Sequence, residues 1–170
     1  DALTRAGYRV TEIDVGFDIA ERLREVKPDV AFNALHGQYG EDGTIQGVLE
    51  FLRIPYTHSG VMASALAMNK HQAKIMFKAM GIPVVDHVVV NRAQVARAHV
   101  MEPPYVIKPI ADGSSVGIFV VKADMSHPPQ EILREDWNAG EEVMVERYVP
   151  GRDLTCAVMG DVALGVTEII

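Results

Sequence analysis

Lys108 ends the apolar run Tyr105-Val106-Ile107 and is followed by Pro109 and a loop of small residues, Asp112-Gly113-Ser114-Ser115-Val116-Gly117. An ammonium set among apolar neighbours is costly unless something pairs with it. The parts suit a polyphosphate. Lys108 brings charge, Gly113 and Gly117 let backbone N–H groups come close, and Ser114 and Ser115 add hydroxyl donors. The order is not that of a Walker P-loop, in which the lysine follows the glycines. The plainer reading is a hairpin loop behind a strand lysine that snorkels to the surface.

Two further stretches carry groups that chemistry could use. Residues 33–44, Asn-Ala-Leu-His-Gly-Gln-Tyr-Gly-Glu-Asp-Gly-Thr, place His36, Glu41 and Asp42 among three glycines between an apolar run and an amphipathic helix. A plain connection there needs only about two to six residues. Asp42 or Thr44 as a helix cap, with Glu41 favoured by the helix dipole, explains one acid but neither the histidine nor the glycines. In residues 142–155, strand alternation sets Met144 and Glu146 opposite Val143 and Val145, and Pro150-Gly151 then breaks the strand. Glu146 and Asp153 bracket a break whose backbone is open to a flat heterocycle; the alternative is a β-turn with two solvated acids. Lys70, on a helix, is ambiguous by itself.

Around these residues the pattern has two parts. Residues 8–15, 29–35 and 54–59 read as strands and alternate with helices at 18–26 and 44–53, a βαβαβ order that predicts a parallel sheet. Asp18 and Glu21 have capping-box spacing, and Ile45, Val48, Leu49 and Leu52 fall on one helix face. One helical stretch is expected over 60–83, with Met62, Met68, Met76 and Met80 as core filler. Strands follow at 84–90, 104–108, 117–122, 142–149, 154–159 and 162–170, with 127–136 as an insert or short helix; their short loops favour an antiparallel sheet.

The 170 residues are 48% hydrophobic and 23% charged with a net charge of −7, which disfavours a broad electrostatic grip on nucleic acid. One cysteine, Cys156, excludes an internal disulfide and a multi-cysteine zinc site, and its apolar surroundings predict burial. No apolar run approaches the ~20 residues that cross a bilayer, and the N-terminus shows no signal-peptide pattern, so no membrane partner and a cytoplasmic setting are expected. The opening Asp1–Gly7 reads as the last turn of a helix and the final residues as an unfinished strand, so a piece of a longer protein is expected.

Taken together, residues 36–43 (HGQYGEDG), 60–70 (GVMASALAMNK), 106–117 (VIKPIADGSSVG) and 142–155 (EVMVERYVPGRDLT) resemble the D-alanine–D-alanine ligase family of ATP-grasp enzymes, in order and spacing. The resemblance implies an α/β chain: an incomplete parallel βαβ unit over 1–58, a small ATP-grasp α+β subdomain over 59–146, and the first strands of the second ATP-grasp subdomain over 147–170. It implies that Lys70 and Lys108 contact ATP, that Gly113, Ser114 and Ser115 fold over its phosphates, and that Glu146 receives the adenine amino group. Val149 would offer backbone to the ring and Asp153 would hold the ribose. His36 and Glu41 would face the first D-alanine, with Ser114 linked to Glu41. Asp112 and Asp153 stand where the family more often has glutamate. The implied reaction is ATP-dependent ligation of two D-alanines through an acyl phosphate, for peptidoglycan precursors. Mg2+ or Mn2+ would be bound by residues beyond Ile170, so no metal ligand is assigned within the chain, which is expected to be inactive by itself. Alternatives are a D-alanine–D-lactate-type ligase or a non-catalytic nucleotide-binding fragment or paralogue. A homodimer is common in that family, and the sequence does not decide it.

Overall fold

The computed structural model describes residues 2–113, 117–137 and 139–170. The chain packs as two compact units, residues 1–82 with 110–116, and residues 83–109 with 117–170.

In the first unit the helices are α1 (Ala2–Arg5), α2 (Ile19–Val26), α3 (Thr44–Leu52), α4 (Val61–Met68) and α5 (Lys70–Ala79). The apolar face read for α3 is the one it buries: Ile45 and Leu49 join Leu23 of α2, with Val48, Leu52 and Ile54 packed against them. The capping box at α2 does not form. The Asp18 carboxylate accepts from Arg22 Nε at 2.7 Å instead of capping the helix, an exposed i,i+4 pair that contributes little.

The expected parallel sheet is reduced to one parallel bridge, Ala31 to Tyr56. Side chains interrupt the ladder beyond it. Asn33 N–H donates to Thr57 Oγ1 at 3.0 Å, and the His58 ring lies 2.6 Å from the Asn33 carbonyl. Parallel strands also need cover on both faces, whereas Val30 and Phe32 are exposed. Residues 8–15 form no strand.

The long helix expected over 60–83 is broken at Asn69. Its backbone leaves the helical region (φ −85°, ψ 97°) and its side chain caps the next helix, accepting from Gln72 N–H at 3.0 Å. Asparagine competes for backbone partners in this way. The break makes Lys70 the first residue of α5. Met62, Met76 and Met80 are exposed, so they are not core filler.

The second unit holds β1 (His87–Asn91), α6 (Arg92–Arg97), β2 (Tyr105–Pro109), β3 (Phe119–Val121), β4 (Glu142–Arg147), β5 (Asp153–Met159) and β6 (Val162–Ile169). The first four strands form an antiparallel sheet in the order β1-β4-β2-β3. One face carries the core, in which Tyr105, Ile107, Val121, Val143 and Val145 meet Val95 of α6 and Ile132, all fully buried. Ile132 belongs to a 3-10 turn, Gln130–Leu133, the short helix read in the insert. The sequence reading missed α6, whose start is capped by Asn91 accepting from Ala93 N–H at 2.9 Å. β5 and β6 pair as a separate antiparallel hairpin whose residues are exposed on both faces. Cys156 therefore lies in the open, not buried as expected, because among the described residues no second layer packs on its strand.

Candidate functional site

Lys108 and Glu146 lie on the face of the four-stranded sheet away from the core. β2 alternates, with Tyr105, Ile107 and Pro109 buried and Val106 and Lys108 on the other face. β4 runs beside it in antiparallel register, with Lys108 opposite Met144 and Val106 opposite Glu146. Lys108 and Glu146 are thus diagonal neighbours on one face, close enough for long side chains to meet. Lys108 Nζ donates to Glu146 Oε1, and the two side chains are only 19% and 15% exposed. The lysine does not snorkel. The pair offers a cationic donor and an anionic acceptor side by side, the complement of a planar ring with both an acceptor and an amino group on one edge. Past β4, Val149 is exposed, and Asp153 opens β5 opposite Ile169.

Gly117 closes the loop after β2 for a steric reason the sequence hid. Its φ is +71°, and an added Cβ would lie 2.5 Å from Trp137 Nε1. The indole donates to the Gly117 carbonyl at 3.1 Å.

In the first unit, Lys70 is tied to the stretch that follows β2. Its backbone N–H donates to the Ile110 carbonyl at 3.0 Å, and its Nζ donates to the Asp112 carbonyl. Asp112 accepts from Gly113 N–H at 2.7 Å. A Cβ on Gly113 would lie 3.6 Å from Glu41 Oε2, so Glu41 and the start of the glycine-serine loop are near neighbours. Ser114 and Ser115 lie outside the described residues.

The 33–44 loop holds its own shape. Glu41 Oε2 accepts from Gly37 N–H at 2.6 Å, and His36 is exposed. Contrary to expectation, neither Asp42 nor Thr44 is the N-cap of α3: Gly43 holds that position in the left-handed region with no side-chain cap, and Asp42 braces the turn before it, accepting from Thr44 N–H and Tyr39 N–H, both at 2.9 Å. Burial would raise the Asp42 carboxyl, but the Tyr39 and Thr44 donors outweigh it and hold it below its ordinary 3.8. Two residues absent from the sequence reading complete the loop. Asn33 Nδ2 and Gln46 Nε2 both donate to the Gly40 carbonyl at 2.9 Å. Gln46 is 1% exposed, and a polar residue on the buried side of an amphipathic helix was the available signal.

A family model described as D-ala D-ala ligase C-terminus matches residues 76–170, and one described as D-ala D-ala ligase N-terminus matches residues 8–59. The chain belongs to the D-alanine–D-alanine ligase family. Curated relatives named D-alanine–D-alanine ligase from Parvibaculum lavamentivorans and Sinorhizobium medicae are 63% and 64% identical over 170 residues, 100% of this chain and 55% of each relative. The crystal structure of D-alanine–D-alanine ligase from Bacillus anthracis matches with a TM-score of 0.76 at 29% identity, over 96% of this chain and 54% of that one. The chain therefore spans about half the length of the curated relatives it matches. For this member of the D-alanine–D-alanine ligase family, no helix among the described residues is long and apolar enough to cross a membrane.

The Asp42 carboxylate gives a testable pH signature. Asp42→Ala is expected to cost about 0.5–1.5 kcal/mol at pH 7, the net worth of a typical hydrogen bond. A carboxyl depressed in the folded state stabilises fully above its unfolded value and loses that contribution as pH falls through the folded one. The stability gap between the two proteins should accordingly close as pH falls below about 4. Denaturant melts at pH 7 and pH 3 check it; a gap that persists at pH 3 would assign the loss to packing rather than to the carboxylate.

Proposed function

We propose that the protein carrying this chain is an ATP-dependent ligase that joins two D-alanines for peptidoglycan precursors, working in the cytoplasm. The observation that carries the reading is 61–64% identity, over at least 99% of the chain, to relatives named D-alanine–D-alanine ligase. The Lys108–Glu146 pair supports the nucleotide half: the ammonium would donate to a ring nitrogen and the carboxylate would accept from an exocyclic amino group. Val149 is proposed to offer its backbone to the ring and Asp153 to hold the ribose. Lys70, Gly113, Ser114 and Ser115 are proposed for the phosphates, and His36, Glu41 and Ser114 for the first D-alanine. The subdomain divisions at 58/59 and 146/147 are part of the same proposal.

ATP would phosphorylate the carboxylate of one D-alanine, the amine of the second would attack the acyl carbon, and phosphate would leave. Lysines near the transferred group stabilise its developing charge. Magnesium is expected in this chemistry, but among the described residues no cluster of three or more His, Cys, Asp or Glu could hold a metal. None of the residues named here is assigned to it.

The direct test is phosphate release from ATP on addition of D-alanine, with dipeptide identified by mass. Release that requires D-lactate as the second substrate would replace the dipeptide by an ester, and absence of release with either would overturn the reading. Glu41→Gln is the internal check. Glutamine keeps an oxygen for the Gly37 N–H and so preserves the loop, while removing the charge offered to substrate. Turnover or D-alanine affinity should fall more than ATP affinity. Unchanged kinetics would leave Glu41 as loop scaffolding only.

A further inference from the structure

His58 stands at a left-handed backbone position, and its ring holds the chain at the start of the 33–44 loop. Its φ is +82°, in a region uncommon for residues with a side chain and open to glycine without steric cost. The imidazole Nε2 lies 2.6 Å from the Asn33 carbonyl. A carbonyl only accepts, so Nε2 carries the proton in this contact, and the neutral and the protonated ring both supply that donor. The ring is also tilted against Phe32, centroids 6.4 Å apart. Thr57, one residue earlier, accepts the Asn33 N–H on its hydroxyl at 3.0 Å. Asn33 is thereby held at both backbone groups, and its side chain serves the loop. Its Oδ1 accepts from Leu35 N–H at 3.0 Å, and its Nδ2 donates to the Gly40 carbonyl at 2.9 Å. Gly40 directly precedes Glu41, whose carboxylate accepts the Gly37 N–H.

We propose that His58 is a positioning residue for the 33–44 loop, fixing Asn33 and through it the place of Gly40 and Glu41 against the first D-alanine. The inference rests on the D-alanine role given to that loop. A residue held in a sparsely populated backbone region persists only where its surroundings over-determine it, and such an outlier points to function. Glycine would make this turn without strain, but would leave the Asn33 carbonyl without the ring. Burial does not account for the histidine, which is exposed and has no place in the apolar cluster of its unit. Thr57 and Gln46 keep their own hold on Asn33 and Gly40. Loss of the ring therefore loosens the loop without releasing it.

The test uses the full-length protein that carries this chain, with two variants. His58→Gly removes the ring and the strain together. His58→Gln keeps a donor as many bonds from Cβ as Nε2. KM for the first D-alanine is expected to rise about three- to tenfold in His58→Gly, the worth of one hydrogen bond. KM for ATP should stay at its wild-type value, and the urea midpoint should hold or rise. His58→Gln should bring KM for D-alanine back toward wild type. An unchanged KM for D-alanine in folded His58→Gly overturns the inference. An equal rise in KM for ATP, or no recovery with glutamine, overturns it as well, because His58 would then support the fold in general. Should His58→Gly fail to fold, His58→Asn takes its place, since asparagine tolerates the left-handed turn and is one bond too short. If Glu41→Gln leaves D-alanine kinetics unchanged, the reading of the loop itself fails. If Glu41→Gln impairs D-alanine while His58→Gly does not, only the role of His58 is lost.

Discussion

Lys108→Met is expected to weaken ATP binding about 10- to 150-fold, the loss of a charge-assisted hydrogen bond of roughly 1.5–3 kcal/mol. Methionine matches the length of the stem, so the core face of β2 is untouched. The structure adds a second effect. Glu146, only 15% exposed, loses the Lys108 donor from its carboxylate. A hydrogen bond between charged groups is worth about 1.5–3 kcal/mol, so stability should fall as well. The double variant Lys108→Met/Glu146→Gln separates the two. It removes the charge that Lys108 balanced and should recover part of the stability while ATP affinity stays low. Calorimetric titration with ATP and denaturant melts on the three variants check both quantities. A folded Lys108→Met protein with wild-type ATP affinity would reduce the pair to a structural salt bridge.

The second large effect is expected at Gly43. It turns the chain into α3 at φ +92°, and an added Cβ would sit 2.7 Å from the Val61 carbonyl oxygen. Backbone strain and forced packing each cost about 1–3 kcal/mol, so Gly43→Ala should destabilise the protein by about 2–4 kcal/mol. Gly47, four residues on within α3, has nothing within 4 Å of its added Cβ. Gly47→Ala should instead stabilise by about 0.5–1 kcal/mol, because alanine is the better helix former. Opposite signs from two alanines one turn apart are the expected result in urea melts. Equal, small changes would show that the α3 entry has room to relax.

How much of this could be read beforehand depends on how local each cause is. α3 was legible because Ile45, Val48, Leu49 and Leu52 repeat with the helix period and bury on Leu23. The alternation of β4 correctly placed Glu146 away from Val143 and Val145. Its pairing with Lys108, 38 residues earlier, depends on strand register, which no local pattern carries. The break at Asn69 lacks the glycine or proline that usually announces one. Only an asparagine three residues before Gln72 hinted at it, and that break is what sets Lys70 at the start of α5. Residues 8–15 have the composition of a strand, but composition does not supply a neighbour. The capping explanation for the 33–44 loop failed, because Gly43 takes the N-cap position and Asp42 instead holds the Tyr39 and Thr44 N–H groups, while Glu41 binds Gly37 and lies close to Gly113.

Trp137 is the single tryptophan of the chain, and its indole rests edge-on to Phe119, centroids 5.4 Å apart, with its N–H on the Gly117 carbonyl. Indole emission responds to the loss of such a hydrogen bond and to the entry of water. The chain thus carries its own fluorophore at the far end of the loop that begins beyond Lys108. Displacement of Gly117 by an arriving ligand would register as a spectral shift in unlabelled protein, with no competing tryptophan signal from elsewhere in these 170 residues.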